Sequence, residues 1–270
     1  MTKGYQQLKN LTGKVALITG ASSGMGEQIA YELAKKGAIV VCCARRLDRL
    51  EEVAAICRKI SHQEAYAFAV DVSVPNQIEK LVEKVEATIG PIDVLVNDAG
   101  FGLMEKALDF DMTIAERMFR VNVLGLIYMT KYTALHMAER KRGAIINIAS
   151  MAGKMATPKS SVYSATKFAV LGYSNALRLE LKPLGISVLT VNPGPVRTDF
   201  FNIADESGKY LESISNMALN PEIVAKKVVK TIGTAKRELN LPGYMEVAHH
   251  LYQMCPYLGD YLAGSIFNKK

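Results

Sequence analysis

The chain has 270 residues, 49% of them hydrophobic, with no low-complexity tract and no repeat, so a single compact domain over residues 1–270 is expected and a disordered, solenoid or propeller chain is excluded. The net charge of +7 raises nucleic acid or an anionic surface as a partner, but basic and acidic residues interleave, as in EEVAAICRK and EKLVEKVEA, and no basic stripe carries aromatics, so no nucleic-acid role is expected. Four cysteines without a CxxC pair and four histidines without ligand spacing imply reduced thiols and no metal, and the absence of an apolar leader or an 18-residue apolar run implies a soluble, cytoplasmic protein.

The first apolar run, KVALIT, leads directly into Gly20, Ala21, Ser22, Ser23, Gly24, Met25 and Gly26, followed by a helical period from Glu27 to Lys36. Glycines let a backbone approach a pyrophosphate, and the helix N-terminus behind them supplies unpaired N–H groups and a positive dipole end. Gly20, Ser22, Ser23, Gly24, Met25 and Gly26 are therefore candidate cofactor contacts, although the spacing is G-x3-G-x-G and not G-x-G-x-x-G.

The second strand, AIVVCCA, ends near Ala44, where a fold that binds NAD places a carboxylate for the ribose 2′-hydroxyl. This chain has Arg45 and Arg46 instead, and guanidinium groups suit a 2′-phosphate, so NADP(H) is expected in preference to NAD(H). The third strand, AYAFAVD, ends at Asp71, placed to meet the adenine edge. The further strands are IDVLVN, GAIINIA and ISVLTVN, with a weaker seventh candidate in RELNLP. Gly37, Gly90, Gly143 and Gly185 precede strands closely, as helix-ending glycines do. Strands alternating with helices predict an α/β fold, a Rossmann-type doubly wound parallel sheet of about seven strands with helices on both faces and ligands at the strands' C-terminal edge.

Ser150 follows the fifth strand on that edge, where a hydroxyl can donate to a carbonyl oxygen. Tyr163 and Lys167 are four apart in VYSATKFAVLGYSNALRLEL, a helical segment, and so share one face. A free tyrosine titrates near ~10, and a neighbouring cation favours its phenolate and suits it to proton transfer. Phe101, Met104, Met151, Met155, Phe200, Phe201 and Met217 are candidates for an apolar substrate wall, and Lys154 and Lys159 are expected in solvent. A lid is expected over about 195–220 and a helical extension over about 243–268, broken by Pro256, which covers the cleft or a subunit interface, or rests on a membrane surface.

Two other readings start from the same residues. Gly20-Ala21-Ser22-Ser23-Gly24 fits a hydrolase elbow, but no oxyanion loop precedes it and no acid and histidine follow in order. A Rossmann fold can also serve as a cofactor sensor, which has no use for the Tyr163 acid.

TGASSGMG, the NDAG at Asn97 to Gly100, Asn122, Ser150, YSATK and the run Pro193 to Thr198 together resemble the short-chain dehydrogenase/reductase family along almost the whole chain, and the paired arginines resemble its NADP-preferring members. The resemblance implies an oxidoreductase interconverting a small ketone or aldehyde and an alcohol. Tyr163 would be the general acid or base, Ser150 would orient the carbonyl, Lys167 would hold ribose, and Asn122 would support a water relay. It also implies cofactor contacts from Val72, Asn97, Ala99, Gly100, Pro193, Gly194 and Val196, a nicotinamide contact from Thr198, and a homodimer or homotetramer built through two long helices. Asp98 departs from the family's usual second asparagine and is expected to cap the adjacent turn.

Overall fold

In the computed structural model, which describes residues 4–204 and 217–266, the apolar runs become strands because helices cover both of their faces. The strands are β1 (Val15–Thr19), β2 (Ile39–Ala44), β3 (Ala65–Ala69), β4 (Ile92–Asn97), β5 (Gly143–Ile148), β6 (Ile186–Pro193) and β7 (Glu238–Leu241). They form one seven-stranded sheet in the order β3-β2-β1-β4-β5-β6-β7. Every pairing is parallel, including Thr190 to Pro193 against Glu238 to Leu241, so the weak seventh strand is real.

The helices are α1 (Gly24–Ala34), α2 (Leu47–Ser61), α3 (Pro75–Thr88), α4 (Met112–Phe119), α5 (Leu126–Glu139), α6 (Ser161–Leu181), α7 (Phe200–Ala204), α8 (Pro221–Lys230), α9 (Gly243–Met254) and α10 (Pro256–Ile266). Alternate strand residues divide between two cores. Ala16, Ile18, Val40 and Val94 pack with Ile29, Leu33, Leu50 and Val228 of α1, α2 and α8 on one face. Val15, Leu17, Val41 and Leu95 pack with Ile78, Met129 and Leu177 of α3, α5 and α6 on the other. Burial on both faces is what produces unbroken apolar strands where a half-exposed sheet would alternate. The order in which strands are added reverses between β1 and β4, the place in a doubly wound sheet where a cleft opens at the C-terminal edge.

Gly37, Gly90 and Gly185 take the left-handed backbone expected of helix-ending glycines, but Gly143 does not. It lies inside β5, and Lys141, with φ of 50°, makes the turn before it. Gly143 serves close packing instead, since a Cβ there would stand 2.3 Å from Met137 Sδ.

The predicted C-terminal extension is a helix pair, α9 and α10, divided at Cys255 and Pro256, and the Tyr252 hydroxyl donates to Asp260 across the junction at 2.7 Å. Val247, Leu251, Met254 and Leu258 leave an exposed apolar stripe on the pair. Among the described residues no helix is long and apolar enough to cross a membrane.

Gly185 has φ of 74°, and a Cβ there would meet the Lys141 carbonyl oxygen at 2.5 Å. Gly185→Ala is expected to lower unfolding stability by about 1–3 kcal/mol, read as a lower urea midpoint at unchanged slope; an unchanged midpoint would contradict this packing.

Candidate active site

The loop after β1 is shaped by what its glycines exclude. A Cβ on Gly20, where φ is 73°, would lie 2.8 Å from the Ala99 nitrogen, and one on Gly26 would lie 2.5 Å from the Gly20 carbonyl oxygen. Gly24, with φ of 64°, turns its open side toward Thr198, whose Cβ would be 3.4 Å away. The loop therefore closes on the segment after β4 while its remaining open side faces the segment after β6. Met25 follows Gly24 in the first turn of α1, so the backbone of Gly24, Met25 and Gly26 belongs to the helix N-terminus, a cradle that fits a phosphate-bearing dinucleotide.

Arg46 starts α2 and reaches back to this loop, its Nη2 donating to Ser22 Oγ and Ser23 Oγ, each at 3.1 Å. One guanidinium and two hydroxyls thus meet beside β2's end, a donor set for a phosphate ester. Arg45 is exposed and faces Asp71. Asp71 Oδ1 accepts the Ser73 N–H at 2.9 Å, so that oxygen is committed to the turn entering α3. Burial pushes the Asp71 carboxyl up, but the Ser73 donors and the Arg45 and Arg117 guanidiniums outweigh it and hold it below the usual carboxylate range. Val72 is buried, and its carbonyl lies against Gly125 just before α5, where a Cβ would stand 2.6 Å away.

The segment after β4 is fixed from three sides. Thr19 Oγ1 accepts the N–H groups of Asp98 and Ala99, each at 3.1 Å. Asn97 Nδ2 donates to Thr130 Oγ1 and Asn147 Oδ1, each at 2.9 Å, so its amide nitrogen is used within the core. Asn122 lies in a π-helical stretch, Arg120–Gly125, between α4 and α5. Its Oδ1 accepts the Phe101 N–H at 3.0 Å, and its Nδ2 donates to the Phe101 carbonyl at 2.8 Å and to Thr166 Oγ1 at 3.2 Å. The Thr166 hydroxyl donates in turn to the Tyr163 carbonyl at 2.7 Å. A π-bulge at a functional position is a recurrent association, and here it aims Asn122 at both the loop and α6. Gly100 leaves the room for this, since a Cβ would lie 3.0 Å from Asn122 Oδ1.

Tyr163 and Lys167 share the inner face of α6, with the Lys167 nitrogen 5.8 Å from the centre of the Tyr163 ring. Lys167 is buried and donates to the Ile148 carbonyl at 3.0 Å. Burial lowers its ammonium to about 8, and the Asp98 carboxylate opposes that shift. Ser150 caps the short turn after β5, where its Oγ accepts the Ala152 N–H at 3.0 Å and its hydroxyl points to the Pro193 carbonyl at 3.5 Å. Gly194 N–H donates to Leu241 at 2.6 Å, and Val196 pairs with Leu219, which ties both ends of the predicted lid together. Much of that lid, residues 205–216, lies outside the described residues; α7 begins it.

Phe101, Met104 and Phe200 pack around Tyr163, and Phe201 packs behind them. Met151 is buried outside this group, and Met217 is exposed. Sequence reasoning missed Gly102, where a Cβ would come within 2.9 Å of the Tyr163 ring, as well as Thr19 and Thr166. Only their places beside the glycine loop, the NDAG and the Tyr163 pair signalled them. Two expectations change. Lys154 is not solvated: its ammonium pairs with Glu238 at 2.5 Å, and His249 of α9 packs beside it. Asp98 does not cap its own turn but accepts the Gly26 N–H across the cleft, as taken up below.

Residues 14–207 match the family model described as short chain dehydrogenase. The ketoacyl reductase HetN of Nostoc sp. is 35% identical over 233 residues, covering 86% of this chain and 79% of that protein. The 3-ketodihydrosphingosine reductase of Bos taurus is 33% identical over 245 residues, covering 87% and 74%. Among solved structures, the closed form of serine dehydrogenase complexed with NADP+ is 32% identical at a TM-score of 0.76, covering 84% of this chain and 94% of its own.

Thr19→Val would keep the shape of β1 and leave the Asp98 and Ala99 N–H groups without an acceptor. The expected outcome is a stability loss of about 1–3 kcal/mol together with weaker nicotinamide-cofactor binding, measured by urea unfolding and by fluorescence titration with NADPH.

Proposed function

The chain belongs to the short-chain dehydrogenase/reductase family of oxidoreductases, and on that premise we propose that it interconverts a ketone or aldehyde and an alcohol with NADP(H), Tyr163 moving the proton. One observation carries this reading. Tyr163, the Lys167 ammonium, and Ser150 lie on the same sheet edge as a glycine cradle and the Arg46–Ser22–Ser23 cluster. A bound nicotinamide supplies or accepts the hydride.

The chain's own residues do the rest. Gly20, Gly24, Met25 and Gly26 present backbone to the pyrophosphate, while Val72, Asn97, Ala99 and Gly100 line the opposite wall. Pro193, Gly194, Val196 and Thr198 bound the nicotinamide side. Lys167 donates toward ribose hydroxyls, and its charge lies close enough to Tyr163 to favour the phenolate. Ser150 can turn its hydroxyl from Pro193 to a substrate oxygen and stabilise the charge that develops there. Asn122 holds the Phe101 loop against α6 and supports the proton path behind Tyr163. Phe101, Met104 and Phe200 favour a substrate with an apolar body, because they exclude water from the wall around the acid.

Arg46 supports the choice of NADP(H). Its contacts with Ser22 and Ser23 suit a 2′-phosphate, and the NADP+ in the serine dehydrogenase neighbour supports the same choice. The assembly we infer is a homodimer or homotetramer through α5 and α6. Leu124, in the π-helical stretch that leads into α5, and Leu135 of α5 leave apolar surface along one side, and Phe168 and Leu179 leave it along α6 with Gly172 at the same helical spacing.

Tyr163→Phe is expected to bind NADPH normally and to lose at least ~10²-fold in turnover across medium-sized ketones, aldehydes and 3-oxoacyl compounds. Retained turnover would overturn the assignment of the acid. The double variant R45A/R46A is expected to weaken NADPH by roughly 10–100-fold while NADH binding changes little, because only the phosphate contacts are charge-assisted. Equal losses for the two cofactors, measured by fluorescence titration, would refute the 2′-phosphate site.

A further inference from the structure

Asp98 is a carboxyl group built into the dinucleotide cradle. It follows β4, accepts the Gly26 N–H at the start of α1, and faces the Lys167 ammonium from α6. Gly26 is required for this contact as well as for the loop itself, since a Cβ there would lie 2.8 Å from Asp98 Oδ2. The Asp98 backbone N–H donates to Thr19 Oγ1 of β1 at 3.1 Å, which fixes the position from which the carboxyl projects. An asparagine could make the same hydrogen bond without a charge. An aspartate adds a negative charge, and with it a proton site, next to the place where a polyanion would bind.

We propose that Asp98 couples cofactor binding to proton uptake: as the dinucleotide's phosphates settle on the loop, the Asp98 carboxylate takes a proton from solvent and becomes a neutral acid. The inference rests on the cofactor reading above, though not on the preference for NADP(H). The electrostatics fix its direction. A bound polyanion repels the carboxylate and displaces water from it, and both effects favour the neutral form. Burial already pushes the Asp98 carboxyl up to about 7, against the opposing pull of Lys167 and the Gly26 N–H, so in the free protein the group divides between its two forms near neutral pH. Lys167 is the titratable group that faces it, and the Gly26 N–H and Thr19 hydroxyl do not titrate in this range.

The sign follows. Below pH 7 the cleft is already neutral at Asp98 and accepts the anion freely; as pH rises through about 7 and the carboxylate forms, binding must restore the proton and affinity falls. Loss of the Lys167 charge above about 8 weakens binding in the same direction, so affinity alone does not separate the two groups. A direct view of the carboxyl does.

The test compares the full-length protein with D98N, which keeps an acceptor for the Gly26 N–H and removes only the charge. Infrared difference spectra at pH 7.5, with and without saturating NADPH, are expected to show a neutral-carboxyl band gained and carboxylate bands lost in the native protein. Both changes should be absent in D98N. Calorimetric titration in two buffers of different ionisation enthalpy is expected to give a fractional proton uptake for the native protein, and D98N should bind NADPH more tightly than the native protein at that pH. NADPH binding without the carboxyl band, or the same band in D98N, would overturn the inference and leave the cofactor reading intact. Failure of both NADPH and NADH to bind the native protein would overturn both.

Discussion

The short segment from Asn97 to Gly102 is the constraint on which the site depends. It must connect the central strand to the cleft while its backbone N–H groups stay satisfied and its width stays minimal. Thr19 holds it from β1, Asn97 ties its root to β5 and α5, and Asn122 ties its far end to α6. Because Thr166 joins Asn122 to the Tyr163 backbone, the same small network sets the separation between the segment after β4 and Tyr163 of α6. Glycines at 20, 100 and 102 are its complement: each is placed where a side chain would push one wall of the cleft from the other. The π-helical stretch between α4 and α5 belongs to the same constraint, since a regular helix would carry Asn122 to a different bearing.

The parallel order of the sheet was readable in the sequence because burial on both faces leaves strands with no polar alternation, and the C-terminal edge follows from handedness alone. Tyr163 and Lys167 were readable from helical spacing, and Ser150 and Arg46 from their positions just after strands. Other features depended on tertiary approach, which no local pattern encodes. Gly143 has the placement of a helix-ending glycine, yet it exists for Met137, a contact between an adjacent helix and strand. Lys154 looks like any loop lysine, and its partner Glu238 is 84 residues away on a strand that the sequence signalled only weakly. Asn97 ends β4 as expected, whereas Asp71 lies two residues beyond the end of β3 at Ala69; one oxygen of Asp71 and the amide nitrogen of Asn97 are engaged inside the protein.

Asp98 illustrates how one substitution within a shared framework changes physics without changing shape. The hydrogen bond to Gly26 demands only an acceptor, and the charge is an addition that the low-dielectric cleft amplifies. Lys167 and Asp98 then form a pair whose burial pushes both toward their neutral forms while each favours the charge on the other. Asp98, the Lys167 ammonium and the glycine loop therefore lie within one electrostatic neighbourhood.

Transfer of deuterium from reduced NADP labelled at the nicotinamide C4 position tests the central claim most directly. The protein is incubated with the deuterated cofactor and a panel of apolar ketones and aldehydes, and the products are read by mass spectrometry. The account predicts an alcohol carrying deuterium on its carbinol carbon for at least one member of the panel. Tight binding of the cofactor with no deuterium reaching any carbonyl carbon would contradict it.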